Sequence, residues 1–384
     1  MFFCLARFQD FRFPNHFRLG GLWLSTDQGW QVQDTDQFTV VWKGYSDSIP
    51  IPEITENNTV TGNFCSFRLC KTSRVVHVVY NLSRAFPLWY QHSEHFGNLR
   101  QGDHSVWADS DCWLDQDLVL TEHKQDIMGQ VSTDGFLARQ LVQRVHDMLN
   151  RKVKHFLDHN TRPIKVYLSG GLDTALVYSY IKRHTDDYEL VLGEHIDYDH
   201  FWCKNQGRIR QQFWSYRQIH HWQDPCVLVS GAAGDEFMLR NPNTANLWLM
   251  YHGSSIPSIA KYFSRNEYFL LEKNLKVYQK HQEEINEVSQ LSREQFFRYL
   301  INIVVNDFQH WHIGNTLTFT PLRDLEIFKM FLRLISYEAV EQIMLGSITK
   351  ELITMNDPGV LDLVSKTKDS GEELENIVNL LQSQ

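Results

Sequence analysis

The stretch that most constrains this chain is Ser169-Gly170-Gly171-Leu172-Asp173-Thr174. It follows Val166-Tyr167-Leu168, a short β-prone apolar run, and leads into Leu172, Ala175, Leu176 and Ser179 at helical spacing. Strand, glycine turn and helix in that order open a parallel α/β sheet. The glycines allow a sharp turn and close approach to a ligand. The exposed N–H groups and dipole of the following helix favour an anion. Leu168, Ser169, Gly170, Gly171, Asp173 and Thr174 are therefore candidate nucleotide-binding residues, with the Ser169 and Thr174 hydroxyls as extra donors. Asp173 is out of place beside an anion unless a cation bridges it to the phosphates, a task that suits Mg²⁺.

A second strand, Cys226-Val227-Leu228-Val229, also ends in a glycine-rich run, Ser230-Gly231-Ala232-Ala233-Gly234-Asp235-Glu236. Two such ends, each with an acid, would meet at one sheet edge, where open α/β sheets bind ligands. Ser230 and Gly231 join the nucleotide-binding set, and Asp173 with Asp235 is the candidate Mg²⁺ pair. The plain alternatives are a Gly-Gly turn with a polar helix cap, and two exposed acids at a helix start.

Around these ends, Phe136 to Leu157 carries Leu137, Leu141, Val145, Met148 and Leu149 at helical spacing, and Pro163 closes it. Tyr188 to Leu192 reads as a further strand. The mixture of Trp, His, Arg and Gln from Phe201 to Gln223 suits either a substrate-facing segment or an amphipathic cover, and the chain from about 258 onward reads helical. Residues 1–125 are different. Gln37 to Trp42 and Val76 to Tyr80 are β-rich, Pro50, Pro52 and Asn57-Asn58 punctuate them, and no helical period of useful length intervenes. The expected organisation is a β-rich unit over 1–125 and an α/β unit over 126–384, within the 384 residues.

The net charge of -9 argues against a general nucleic-acid field. The six cysteines contain no CxxC pair, which argues against a zinc ribbon, and six in 384 residues are too few for a disulfide scaffold. With no secretory leader and no membrane-length apolar run, the chain reads as a cytoplasmic protein.

The first glycine motif resembles the PP-loop, S-G-G-x-D-[ST], of the N-type ATP pyrophosphatases, and the second resembles the S-G-x-x-x-D-E motif of asparagine synthetases and β-lactam synthetases. Thr320-Pro321-Leu322-Arg323-Asp324 is similar to that family's P-F-L-D segment, and Lys350 and Lys366-Thr367-Lys368 to its lysine-bearing C-terminal stretch. Gly62-Asn63-Phe64 and Asn81 to Tyr90 resemble parts of its Ntn-type glutaminase domain. The resemblance implies a PP-loop parallel sheet flanked by helices, behind an N-terminal Ntn-like domain. It implies ATP cleaved between the α and β phosphates, a carboxylate adenylated, and the acyl group passed to an amine. Asp173 and Asp235 would hold Mg²⁺. Lys368, with Lys350 as the alternative, would neutralise the departing pyrophosphate.

Departures from the family pattern narrow this. Glutamine hydrolysis there needs a cysteine directly after the initiator Met, and here that residue is Phe2; Cys4 cannot use the terminal amine as its own base. The N-G-E segment that holds glutamine is Lys43-Gly44-Tyr45. The N-terminal unit therefore reads as a retired glutaminase. Where those synthetases carry an acceptor base, this chain has Ala232, leaving Glu236, His195, His200, His220 and His221 as substitutes suited to proton transfer. The expected function is an ATP-dependent amide-forming ligase acting on a small carboxylate and an amine, with a homodimer allowed and no membrane or nucleic-acid partner. The alternatives from other classes are a non-catalytic ATP-binding pseudoenzyme and a PP-loop enzyme that modifies nucleobases.

Overall fold

The computed structural model describes residues 2–47, 49–55, 62–81, 88–98, 104–106, 110–124, 138–192, 209–212, 225–240, 316–333 and 346–364, with 291–292, 295, 296 and 300. Alternation of side chains builds its first half. In Phe3–Ala6 (β1), Phe3 and Leu5 enter the main core while Cys4 and Ala6 face Phe13 on the other side. Asn15–Leu19 (β2) and Leu22–Thr26 (β3) continue the same antiparallel sheet. Gln31–Asp34 (β4), Phe38–Ser46 (β5), Gly62–Cys70 (β6) and Val76–Tyr80 (β7) form a second one. Trp89–Gln91 (β8), His95–Gly97 (β9) and His104–Ser105 (β10) return to the first, and Ser110–Leu114 (β11) and Leu120–Lys124 (β12) to the second. Each sheet has six strands. They share a core in which the Phe3 ring meets Phe67 edge-on, centroids 5.1 Å apart.

A parallel sheet forms the second half. Ile164–Leu168 (β13), Glu189–Leu192 (β14), Ile209–Gln212 (β15), Val227–Val229 (β16) and Leu317–Phe319 (β17) pair in the order β15-β14-β13-β16-β17. All four pairings are parallel. Among the described residues the chain is thus a mixed α/β protein with two antiparallel sheets and one parallel sheet. The segment Phe201 to Gln223, expected as a substrate-facing stretch or a cover, contains edge strand β15, a role its unpatterned polar residues do not announce. Gly62-Asn63-Phe64, one of the segments that resemble the glutaminase domain, opens β6. Among the described residues no helix is long and apolar enough to cross a membrane.

Helix α1 (Ala138–His159) buries Leu141, Val145, Leu149, Val153 and Phe156 along one stripe. Helix α2 (Leu172–His184) is buried without a break from Leu172 to Ile181, so it runs through the interior. Leu325–Arg333 (α3) and Ser347–Asn356 (α4) follow in the C-terminal part, and α4 packs on α2. Between α1 and α2, buried His146 lies 2.9 Å through Nδ1 from the Tyr180 hydroxyl, and burial and then Arg183 push its pKa down from 6.5. His184 is pushed down by burial and by the same Arg183. A lowered folded-state pKa supplies stability above the ordinary histidine value that is lost as pH falls below it. The urea midpoint should therefore drop between about pH 7.5 and about pH 5.5, and His146→Gln should flatten that drop. An unchanged slope in the variant would remove His146 from the account.

The two halves meet through side chains from β5, β6 and β17 and from α1. Tyr45 of β5 lies with its ring 5.5 Å from Phe319 and 6.3 Å from Phe156, and those two rings stack at 3.9 Å. The Asn63 amide donates to the Thr318 carbonyl at 3.4 Å. Lys152 Nζ reaches Asp324 at 2.7 Å and Asp47 at 3.4 Å, with all three side chains nearly excluded from water. Burial works against the ammonium, but the two carboxylates outweigh it and hold its pKa above the ordinary lysine value.

Candidate functional site

The order of the parallel sheet fixes where a ligand would go. From β13 the chain steps outward to β14 and β15, then crosses to the other side for β16 and β17. The direction reverses between β13 and β16, and open α/β sheets bind ligands at the carboxyl ends of such a pair. Leu168 ends β13 and passes into Ser169; Val229 ends β16 and passes into Ser230. Both glycine motifs therefore sit at the reversal point.

In the first motif Gly170 has φ +83°, which turns the chain into α2. The Thr174 hydroxyl donates to the Gly171 carbonyl at 3.0 Å and accepts from the Ser169 N–H at 3.2 Å; Ser169 Oγ lies 3.2 Å from it and accepts from the Gly171 N–H at 3.3 Å. The two hydroxyls, expected as ligand donors, are turned onto the loop and hold its shape. The donors left for an anion would then be backbone groups. The helix has no side-chain cap at Gly171, and its first intrahelical bond is Ala175 N–H to Gly171 O. The N–H groups of Leu172, Asp173 and Thr174 precede that bond and have no acceptor within the helix.

The second motif presses against the first. Ser230 Oγ accepts from the Ala232 N–H at 3.1 Å, and Ala233 takes a left-handed φ of 65° before the single helical turn Gly234–Phe237. A Cβ at Gly231 would stand 2.3 Å from the Asp173 carbonyl, and one at Gly234 would stand 2.5 Å from Asp173 Cγ. These glycines serve a close approach of chain to chain.

Asp173 is almost completely buried, and Asp235 has a side chain 47% exposed. Burial, and then the neighbouring Asp235 carboxylate, push the Asp173 carboxyl well above the usual carboxylate range, with Arg240 pulling the other way. One guanidinium nitrogen of Arg240 lies 3.2 Å from Asp173 Oδ1 and 2.5 Å from Asp235 Oδ1. The two candidate metal ligands are thus brought together, but a side-chain cation already joins them. Among the described residues no three His, Cys, Asp or Glu side chains converge as a metal-ligating group. As arranged, the pair does not fit a metal held by the protein. Arg240 carries no sequence signal beyond its place five residues after Asp235.

Of the remaining expected residues, Glu236 is buried at 4% exposure. Lys350 is exposed on α4, the helix whose preceding residue, Gly346, packs against Leu172 and Arg240. Lys368, Lys366, His195, His200, His220 and His221 lie outside the described residues. Thr320 to Asp324 forms the loop after β17; Leu322 touches the Gly234 position and Asp324 holds Lys152. In the N-terminal half, Lys43 is buried and committed to Asp27 at 2.9 Å and to the Gln28 carbonyl at 2.6 Å. Tyr45 is committed to the interface described above, and Cys4 is buried within β1. Neither a family model nor a curated protein sequence matches this chain.

Proposed function

We propose that this chain is an ATP-dependent, AMP-forming ligase that adenylates a carboxylate and transfers the acyl group to an amine, without hydrolysing glutamine. The observation that carries the proposal is the meeting of two glycine-rich strand ends at the reversal point between β13 and β16, beside a helix start with no side-chain cap. The resemblance to asparagine and β-lactam synthetases supplies the reaction class. In that reading the N–H groups at the start of α2 bind the β and γ phosphates. A substrate carboxylate oxygen attacks the α phosphorus, and the bond to the bridging oxygen breaks as pyrophosphate leaves. The amine nitrogen then attacks the acyl carbon, loses its proton, and displaces AMP. Mg²⁺ would come with the nucleotide phosphates.

Calorimetric titration tests the binding half. ATP should bind the wild type, and Asp173→Asn, which removes the carboxylate that holds Arg240 beside the start of α2, should weaken it by about tenfold or more, the scale of one lost charged contact. Glutamate release from glutamine should stay at background, since Lys43 is committed to Asp27 and Phe2 stands at the nucleophile's place. Equal ATP affinity in both proteins, or glutamine hydrolysis lost on Cys4→Ala, would count against the respective half.

A further inference from the structure

We propose that Arg240 is the resident cation of the Asp173–Asp235 pair, so that nucleotide binding at this site does not depend on a divalent ion held by those two carboxylates. The inference deepens the nucleotide-binding reading and rests on it. Its geometric basis is a single guanidinium nitrogen within contact of both carboxylates, at 3.2 Å and 2.5 Å. A divalent ion ligated by the two carboxylates would compete for that place.

Arg240 is not a surface side chain that happens to lie near two acids. Its side chain is only 8% exposed. Its own N–H donates to the Asp235 carbonyl at 2.6 Å, which ties it to the end of the same helical turn that presents Asp235. From the other side, Gly346 at the start of α4 closes over it. A Cβ there would stand 3.3 Å from Arg240 Nη1 and 2.6 Å from Leu172 Cδ1, and Gly346 holds φ +69°. Three segments thus converge to fix the guanidinium: the first turn of α2, the turn after β16 and the start of α4. A guanidinium keeps its charge throughout the accessible pH range, and its planar fork matches carboxylate and phosphate oxygens alike. It answers the question Asp173 raises, how a carboxylate can stand beside a phosphate cradle, without a metal.

Two measurements on the full chain decide the matter. Mn²⁺ binding to the nucleotide-free protein, followed by electron paramagnetic resonance, reports on the pair alone. ATP affinity, measured by calorimetry in excess EDTA and again in Mg²⁺, reports on its use. The wild type should show no Mn²⁺ site that disappears on Asp235→Asn, and its ATP affinity should differ by less than about threefold between the two buffers. Arg240→Met should gain such a Mn²⁺ site and lose about tenfold or more in ATP affinity in EDTA, with part of the loss restored by Mg²⁺. Arg240→Lys keeps a positive charge at the same place, so it should retain most of the metal-free affinity, and it stands in if the methionine variant fails to fold. An Asp235-dependent Mn²⁺ site in the wild type would overturn the proposal. So would ATP binding by the wild type that vanishes in EDTA. If no protein binds ATP in either buffer, the ligase reading fails while the Mn²⁺ arm still decides the role of Arg240.

Discussion

Gly231→Ala is expected to cost most of the nucleotide affinity and a measurable part of the stability. The added Cβ would stand 2.3 Å from the Asp173 carbonyl carbon and oxygen and 2.4 Å from the Thr174 nitrogen. All three are backbone atoms, so no side-chain rotation relieves the contact. The loop after β16 must move away from α2, and the N–H groups at the start of that helix lose their setting. Overpacking of this kind costs about 1–3 kcal/mol. Gly171→Ala is the internal comparison. Its Cβ would meet only Ser169 Oγ, at 3.4 Å, and its φ of -88° suits any residue. Urea unfolding should show a clear loss for Gly231→Ala and little change for Gly171→Ala, and only the first should lose ATP binding through displacement of the loop. A Gly231→Ala protein with wild-type midpoint and ATP affinity would mean that the two loops do not meet as described.

Lys152→Met should give the largest loss of stability. It removes the cation from between Asp324, 3% exposed, and Asp47, 11% exposed. Breaking a buried ion pair from one side typically costs about 3–5 kcal/mol, because the remaining charge stays in a poor solvent. Two carboxylates are left here, on segments from the two halves of the chain: Asp47 follows β5, and Asp324 closes the loop after β17. The loss should appear both as a lower urea midpoint and as weaker ATP binding, since the same loop carries Leu322 against the second glycine motif. An unfolding free energy within about 1 kcal/mol of the wild type would show that the triad contributes little.

These two residues also show what the sequence could and could not convey. Gly231 was visible because glycines spaced behind a β-prone run have few other uses, and the same logic exposed Gly170 and Gly171. Lys152 was not visible. It lies within the expected helix of residues 136–157 and looks like any solvent-facing helix lysine, while its partners come from distant parts of the chain. Arg240 was hidden for the same reason, since its role depends on how closely the turn after β16 approaches α2. The hydroxyls of Ser169 and Thr174 were legible as residues of the cradle but not in their orientation, because a short side chain in a tight loop can serve the loop as well as a ligand. The N-terminal sheets were only partly legible. Val76 to Tyr80 stands out as a strand, whereas β4 consists of four exposed residues, Gln31 to Asp34, and β9 of only three. Neither is long enough to show an alternation, and both are strands because neighbouring strands make them so.

Pyrophosphate exchange into ATP, measured across a panel of carboxylic acids, tests the central claim most directly. Exchange requires an adenylate to form and to reverse, and neither ATP binding alone nor hydrolysis produces it. At least one acid should support incorporation of labelled pyrophosphate into ATP by the wild type, with the same acid giving no signal in Gly231→Ala. ATP that binds at the cradle while no acid in the panel supports exchange would contradict the ligase and favour a protein that only holds the nucleotide.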